Sequence, residues 1–154
     1  MKKIALYSTL FALIDIFSKY LVLSFLTQEK VILKNAFKLI YAENTGIAFS
    51  INIPSKLIFF LNILVLSFFI YFIKTDLRTD KPLAQISASL IIGGGLANLI
   101  DRAWNGFVID FISIYSYPIF NLADVFISLG LLFFILFYAK IIRNQKLKND
   151  TNTN

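Results

Sequence analysis

Between residues 57 and 73 the sequence reads LIFFLNILVLSFFIYFI, without one charged side chain. A helix needs about 20 mostly apolar residues to cross about 30 Å of hydrocarbon. In that medium every backbone polar group must find its partner within the protein, which a helix provides. Three further stretches approach the same description: 4–26, interrupted by Asp15 and Lys19; 83–100, reading LAQISASLIIGGGLANLI; and 119–142. Four spans of about 20 residues leave no room for a separate soluble domain in a chain of 154. Composition agrees: hydrophobic residues make up 58% and charged residues 16%, against about 45–50% and about 25% in soluble domains. So short a chain has too little interior to hide that excess from water.

The basic start MKK could open a signal peptide, but the apolar run behind it is long, holds a charged pair and lacks an A-x-A-like exit. It reads as a retained span. With the N-terminus inside, the cytoplasmic segments hold Lys2, Lys3, Lys74, Arg78, Lys81, Lys140, Arg143, Lys146 and Lys148. The outer ones hold Lys30, Lys34, Lys38, Lys56 and Arg102, with Lys19 in the outer half of the first span. The bias favours both termini in the cytoplasm. The net charge of +6 is then membrane-flanking charge, and no nucleic-acid partner is expected.

Two outer segments remain. Residues 27–56 carry short β-prone runs and a turn signal at Asn44-Thr45-Gly46, which predicts a small sheet on the outer membrane surface. Residues 101–118 are expected as a second outer loop, and the polar tail 143–154 as disordered. The fold class is therefore an all-α integral membrane protein: one domain over 1–154, four transmembrane helices, a small extracytoplasmic β-sheet and the second loop.

The chain holds no Cys and no His. Thiol chemistry, Cys- or imidazole-ligated metals and every Ser-His or Cys-His nucleophile are excluded. Acid–base work must come from other groups, and Asp and Glu together number only 9. Four of them, Asp15, Asp101, Asp110 and Asp124, lie in or against apolar sequence, where ionisable groups are expensive and mark functional sites or ion pairs. Asp15 and Lys19 are spaced i, i+4 and can pair on one helix face, so a structural ion pair is the plainer reading. Asn98 and Asp101 share a face behind the glycines at 93–95, which allow close helix approach. Arg102 could anchor at the interface or grip a lipid headgroup.

Asp110, in FVIDFISI, and Asp124, in FNLADVFISLG, fall at the same outer face, and a reversal around Tyr117-Pro118 could bring them together. Each could simply cap a helix. Two carboxylates in one desolvated site, however, cannot both ionise easily and hold one proton between them. Such a pair can activate a water and protonate a leaving amine.

The chain resembles the lipoprotein signal peptidases (signal peptidase II) in five motifs in matching order, over about residues 4–142. The family's D-Q-x-[ST]-K reads Asp15-Ile16-Phe17-Ser18-Lys19 here, and N-T-G-x-A-F reads Asn44-Thr45-Gly46-Ile47-Ala48-Phe49. G-G-x-x-x-N-x-x-D-R appears as Gly94, Gly95, Asn98, Asp101 and Arg102; G-x-V-x-D-F as residues 106–111; F-N-x-A-D as residues 120–124. The resemblance implies Asp110 and Asp124 as a catalytic dyad, with Asp15, Asn44, Asn98, Asp101, Arg102, Asn121 and Ala123 bracing it or binding substrate. It implies a metal-independent aspartic endopeptidase of the bacterial inner membrane, working without a cofactor. The substrates would be diacylglyceryl-modified prolipoproteins, cut just before the lipidated Cys; membrane phospholipid and the cyclic peptide inhibitor globomycin are the other partners implied. Two positions depart from the pattern: Ile16 stands for the usual Gln, and Ala97 for the usual Gly.

Three rival readings exist. A Ser-Lys peptidase on Ser18 and Lys19 would leave the acids unexplained, and adjacent residues point to different sides of a helix. A metal-dependent lipid phosphotransferase would use the acids to hold magnesium. A small transporter would line a path with acids spread through the membrane, whereas three of these four cluster at one face.

Overall fold

The computed structural model describes residues 1–34, 36–46, 54–115 and 117–142, without the side chains of Ala139 and Ile141. Motif positions Ile47, Ala48 and Phe49 and the tail 143–154 lie outside the described residues. Helices α1 (Lys2–Phe25), α2 (Ser55–Thr75) and α3 (Pro82–Asn105) are long and apolar enough to cross a membrane. The apolar α4 (Leu122–Leu136) is shorter; its ladder breaks at Phe137 before a last turn, α5 (Tyr138–Ile141).

Helix α3 starts on Pro82, whose fixed φ suits the first helical position. It runs past Ile100, where the apolar sequence ends, to the first residue able to stop it. That residue is Gly106, left-handed at φ 80, with its N–H returned to the Arg102 carbonyl. Asp101 and Arg102 therefore sit on the last turns of α3 and not in a loop.

Helix α3 is also the axis of the bundle, packed against α1, α2 and α4. Its glycines divide that work. A Cβ on Gly93 would stand 2.7 Å from the Ser8 carbonyl oxygen of α1, and one on Gly94 would overlap the Ala123 carbonyl of α4. Farther along α4, Gly130 lies against α3, and the Ser87 hydroxyl donates to its carbonyl at 2.8 Å. Small residues let backbones approach where lipid supplies no hydrophobic drive between helices. Among the described residues, Gly95 meets only the Leu66 side chain of α2, at 3.2 Å from a Cβ. Gly94→Ala should therefore lower the apparent Tm in detergent by an overpacking cost of about 1–3 kcal/mol, while Gly95→Ala leaves it nearly unchanged. Equal shifts would show that the α3–α4 contact is not tight. Outward, α1 and α2 present exposed Leu6, Leu10, Leu13, Phe60, Leu64, Val65 and Phe68, the surface expected of helices solvated by hydrocarbon.

The sheet has three antiparallel strands in the order β1 (Lys30–Leu33), β2 (Phe37–Asn44), β3 (Val108–Ile114). The segment 101–118, expected as a second outer loop, thus supplies a turn of α3 and a strand. Val108, Ile109, Asp110 and Phe111 of β3 are all buried, so its sequence lacks the polar–apolar alternation that marks a half-solvated strand. The reversal expected near Tyr117-Pro118 is present. Tyr115 takes a left-handed φ of 49, and Phe120 exchanges backbone hydrogen bonds with Ile112 at 2.8 and 3.0 Å. That return sets Asn121 beside Asp110.

Candidate active site

Four elements converge on one polar cluster at the end of the bundle nearest the sheet. Strand β3 carries Asp110, opposite Ala42 of β2; Asn44, two residues on and so on the same face, donates its amide to Asp110 Oδ2 at 2.9 Å. Asn44 Oδ1 accepts the Gly46 N–H at 3.1 Å, which orients that amide and forms the expected turn. Asn121 caps α4: its Oδ1 accepts from Asp124 N at 2.9 Å, while Asp124 Oδ2 accepts from Asn121 N at 3.3 Å. This reciprocal box fixes the Asp124 side chain against its own helix start.

The Asn121 amide nitrogen is left free to donate to Asp110 Oδ1, at 2.6 Å, and to Asn98 Oδ1, at 3.2 Å. Asn98, on α3, turns its own amide nitrogen to Asp124 Oδ1 at 2.8 Å. Both carboxylates therefore bond to one residue, Asn121, from a strand on one side and a helix N-terminus on the other. They are not equivalent. Asp110 is 2% exposed, whereas Asp124 is partly open. Burial pushes the Asp110 carboxyl up to about 6; the Asn44 amide pulls it down and the Asp124 charge adds to the rise.

Behind this pair lies a buried ionic group. Asp15, fully buried on α1, accepts the Ala123 backbone N–H of α4 at 2.7 Å through Oδ1. Its Oδ2 lies 2.6 Å from Lys19 Nζ, which also reaches Asp101 Oδ2 at 2.8 Å and Asn98 Oδ1 at 3.2 Å. Asp101 Oδ2 accepts the Ile109 N–H at 3.3 Å and so ties α3 to β3. Arg102 donates to the Asn98 carbonyl at 3.4 Å and is half-buried at the edge. Every residue expected at the site is thus in or beside one network. Lys19, read from sequence as half of a local ion pair, belongs to it too: its i, i+4 spacing reveals Asp15 but says nothing of Asp101 and Asn98. The two departures share one apolar cluster below the network, where Ile16 packs against Ala12, Ala97 and Ala123. Both side chains are apolar and take no part in the hydrogen bonds of the network.

A family model described as Signal peptidase (SPase) II matches residues 7–140. The chain belongs to the signal peptidase II family. A lipoprotein signal peptidase of Haemophilus ducreyi is 36% identical over 146 residues, covering 89% of each chain. One of Pasteurella multocida is 41% identical over 128 residues, 77% of each. A solved bacterial membrane enzyme superposes with a TM-score of 0.78 at 25% identity, covering 100% of this chain and 93% of that one. As a signal peptidase II the chain is a peptidase of a bacterial membrane, and the transporter and phosphotransferase readings are not favoured.

Proposed function

We propose that this signal peptidase II cuts by a metal-independent aspartic mechanism with Asp110 and Asp124 as the dyad. The reaction, removal of signal peptides from prolipoproteins, follows from the family. The observation that carries the mechanism is the shared Asn121, whose amide and backbone nitrogens engage one carboxylate each. Burial favours the protonated form of the Asp110 carboxyl, which suits it to serve as the acid of the pair; Asp124, the more open of the two, takes a proton from water as that water attacks the scissile carbonyl. Asp110 then protonates the leaving nitrogen of the lipidated Cys, and the bond before that Cys breaks. Asn44, Asn98, Asn121 and Ala123 hold the dyad in place. Asp15 and Asp101 fix the helices that present it, and Arg102 faces substrate or a phospholipid headgroup at the rim.

The fourth span of this reading is α4 with α5, from Leu122 to Ile141, about 30 Å at 1.5 Å per residue. Even-numbered crossing and the Lys/Arg bias leave both termini in the cytoplasm, with the dyad at the outer face of the inner membrane. A diacylglyceryl group on the Cys would rest among the lipids while the peptide bond beside it meets the dyad.

Purified protein given a diacylglyceryl-modified prolipoprotein should cleave it at full rate in excess EDTA, and globomycin should stop that cleavage. Loss of activity on chelation, restored by a divalent metal, would overturn the aspartic reading. Unchanged turnover at saturating globomycin would count against a substrate groove across the dyad.

A further inference from the structure

We infer that Lys19 is a positioning residue for the dyad, acting through the side-chain amide of Asn98; this rests on the dyad reading above. An ammonium group has three protons, and Lys19 Nζ spends them on three acceptors from two helices: Asp15, Asp101 and Asn98. Two of these are charge partners and would suffice for an ion pair. The third is the consequential one.

The Asn98 amide stands between a cation and a carboxylate. Its Oδ1 takes the Lys19 ammonium and the Asn121 amide, and its Nδ2 faces Asp124 Oδ1 at 2.8 Å. Turned the other way, the NH2 would point at the ammonium and at a second NH2, and the carbonyl oxygen at a carboxylate. All three contacts would become repulsive. The ammonium is the only full positive charge among the groups bonded to Oδ1, so it contributes most to that choice, charge-assisted bonds being about twice as strong as neutral ones. Lys19 itself is 2% exposed and far from rotational freedom, since Asp15 and Asp101 clamp it from α1 and α3. A charge on the first span thereby determines that the third span offers a donor, and not an acceptor, to Asp124.

Removing the ammonium should misorient the group that holds Asp124 without altering any surface that touches substrate. Lys19→Met is expected to lower kcat by about 10²-fold with KM unchanged. In an Asn98→Ala background the same substitution should have almost no further effect on kcat, because the amide through which it acts is gone. If Lys19→Met alone does not fold, Lys19→Met combined with Asp101→Asn keeps the local charge balance and leaves an acceptor for the Ile109 N–H; the same loss in kcat is expected. Losses that multiply independently in the Asn98→Ala background, a change confined to KM, or full activity in the charge-balanced pair would each overturn the inference. Asp110→Asn measured in parallel separates the two ideas: activity in that variant sinks the dyad reading itself.

Discussion

Asp110→Asn and Asp124→Asn are each expected to reduce prolipoprotein cleavage by about 10³-fold or more, the range spanned by a lost general acid or base. The Asn side chain has the same shape and keeps most of the network. At 110 its oxygen can still accept from Asn121, while its NH2 then opposes that of Asn44, a loss of about 1 kcal/mol. Folding should survive, so the activity loss reports chemistry. Steady-state cleavage and an apparent Tm on the same preparations check both statements. Retention of a tenth of the native rate in either variant would remove the dyad.

The same variant carries a pH signature whose sign follows from the burial of Asp110. Its carboxyl ordinarily titrates near 3.8 and is raised to about 6 in the folded protein. The folded state thus favours the protonated form. That stabilisation is fully present below pH 3.8 and is lost as pH rises through about 6, a swing of about 3 kcal/mol. Asp110→Asn lacks the titration. The native protein should therefore lose apparent Tm between pH 4.5 and 7.5 relative to the variant. A native-minus-variant difference that stays flat across that range would show that Asp110 keeps an ordinary carboxyl.

Much of this was legible in the sequence because a bilayer imposes a length on apolar runs. The spans at 4–26, 57–73 and 83–100 appear as α1, α2 and α3 with ends moved by a few residues. Polar residues after Ile100 read as loop because hydropathy marks where lipid ends, whereas the helix ends where a stop residue permits. The strand β3 was hidden for a different reason: residues buried on both faces do not alternate, and a short apolar run looks alike in strand and helix. The acids at 110 and 124 were findable because a charge in apolar sequence has few bland explanations. What joins them was legible only through the motif resemblance, not from hydropathy or spacing. Asn121 reads equally well as an ordinary N-cap, and its second amide bond, to Asp110, depends on a chain reversal with no sequence period.

Asp15 shows the same limit with a larger energetic consequence. Spacing predicts its pair with Lys19 and nothing more. In the structure Oδ2 takes the ammonium and Oδ1 takes the Ala123 N–H at the start of α4. One fully buried carboxylate on α1 therefore fixes both the cation that orients Asn98 and the backbone next to Asp124. Asp15→Ala strips away half of the ammonium's charge compensation and orphans a buried N–H. Breaking a buried ion pair from one side costs about 3–5 kcal/mol, a large share of a marginal stability of about 5–15 kcal/mol. The variant should show a collapsed apparent Tm and little folded protein in detergent. Asp15→Asn keeps an oxygen for the Ala123 N–H but sets its NH2 against the Lys19 ammonium, so it should destabilise less than Ala and not be neutral, with kcat still depressed. The order of stabilities, native above Asn above Ala, is the measurement that matters. If Ala and Asn destabilise equally, the hydrogen bond to Ala123 contributes nothing, and the start of α4 is held by its other contacts, with Gly94, Asn98 and Asp110.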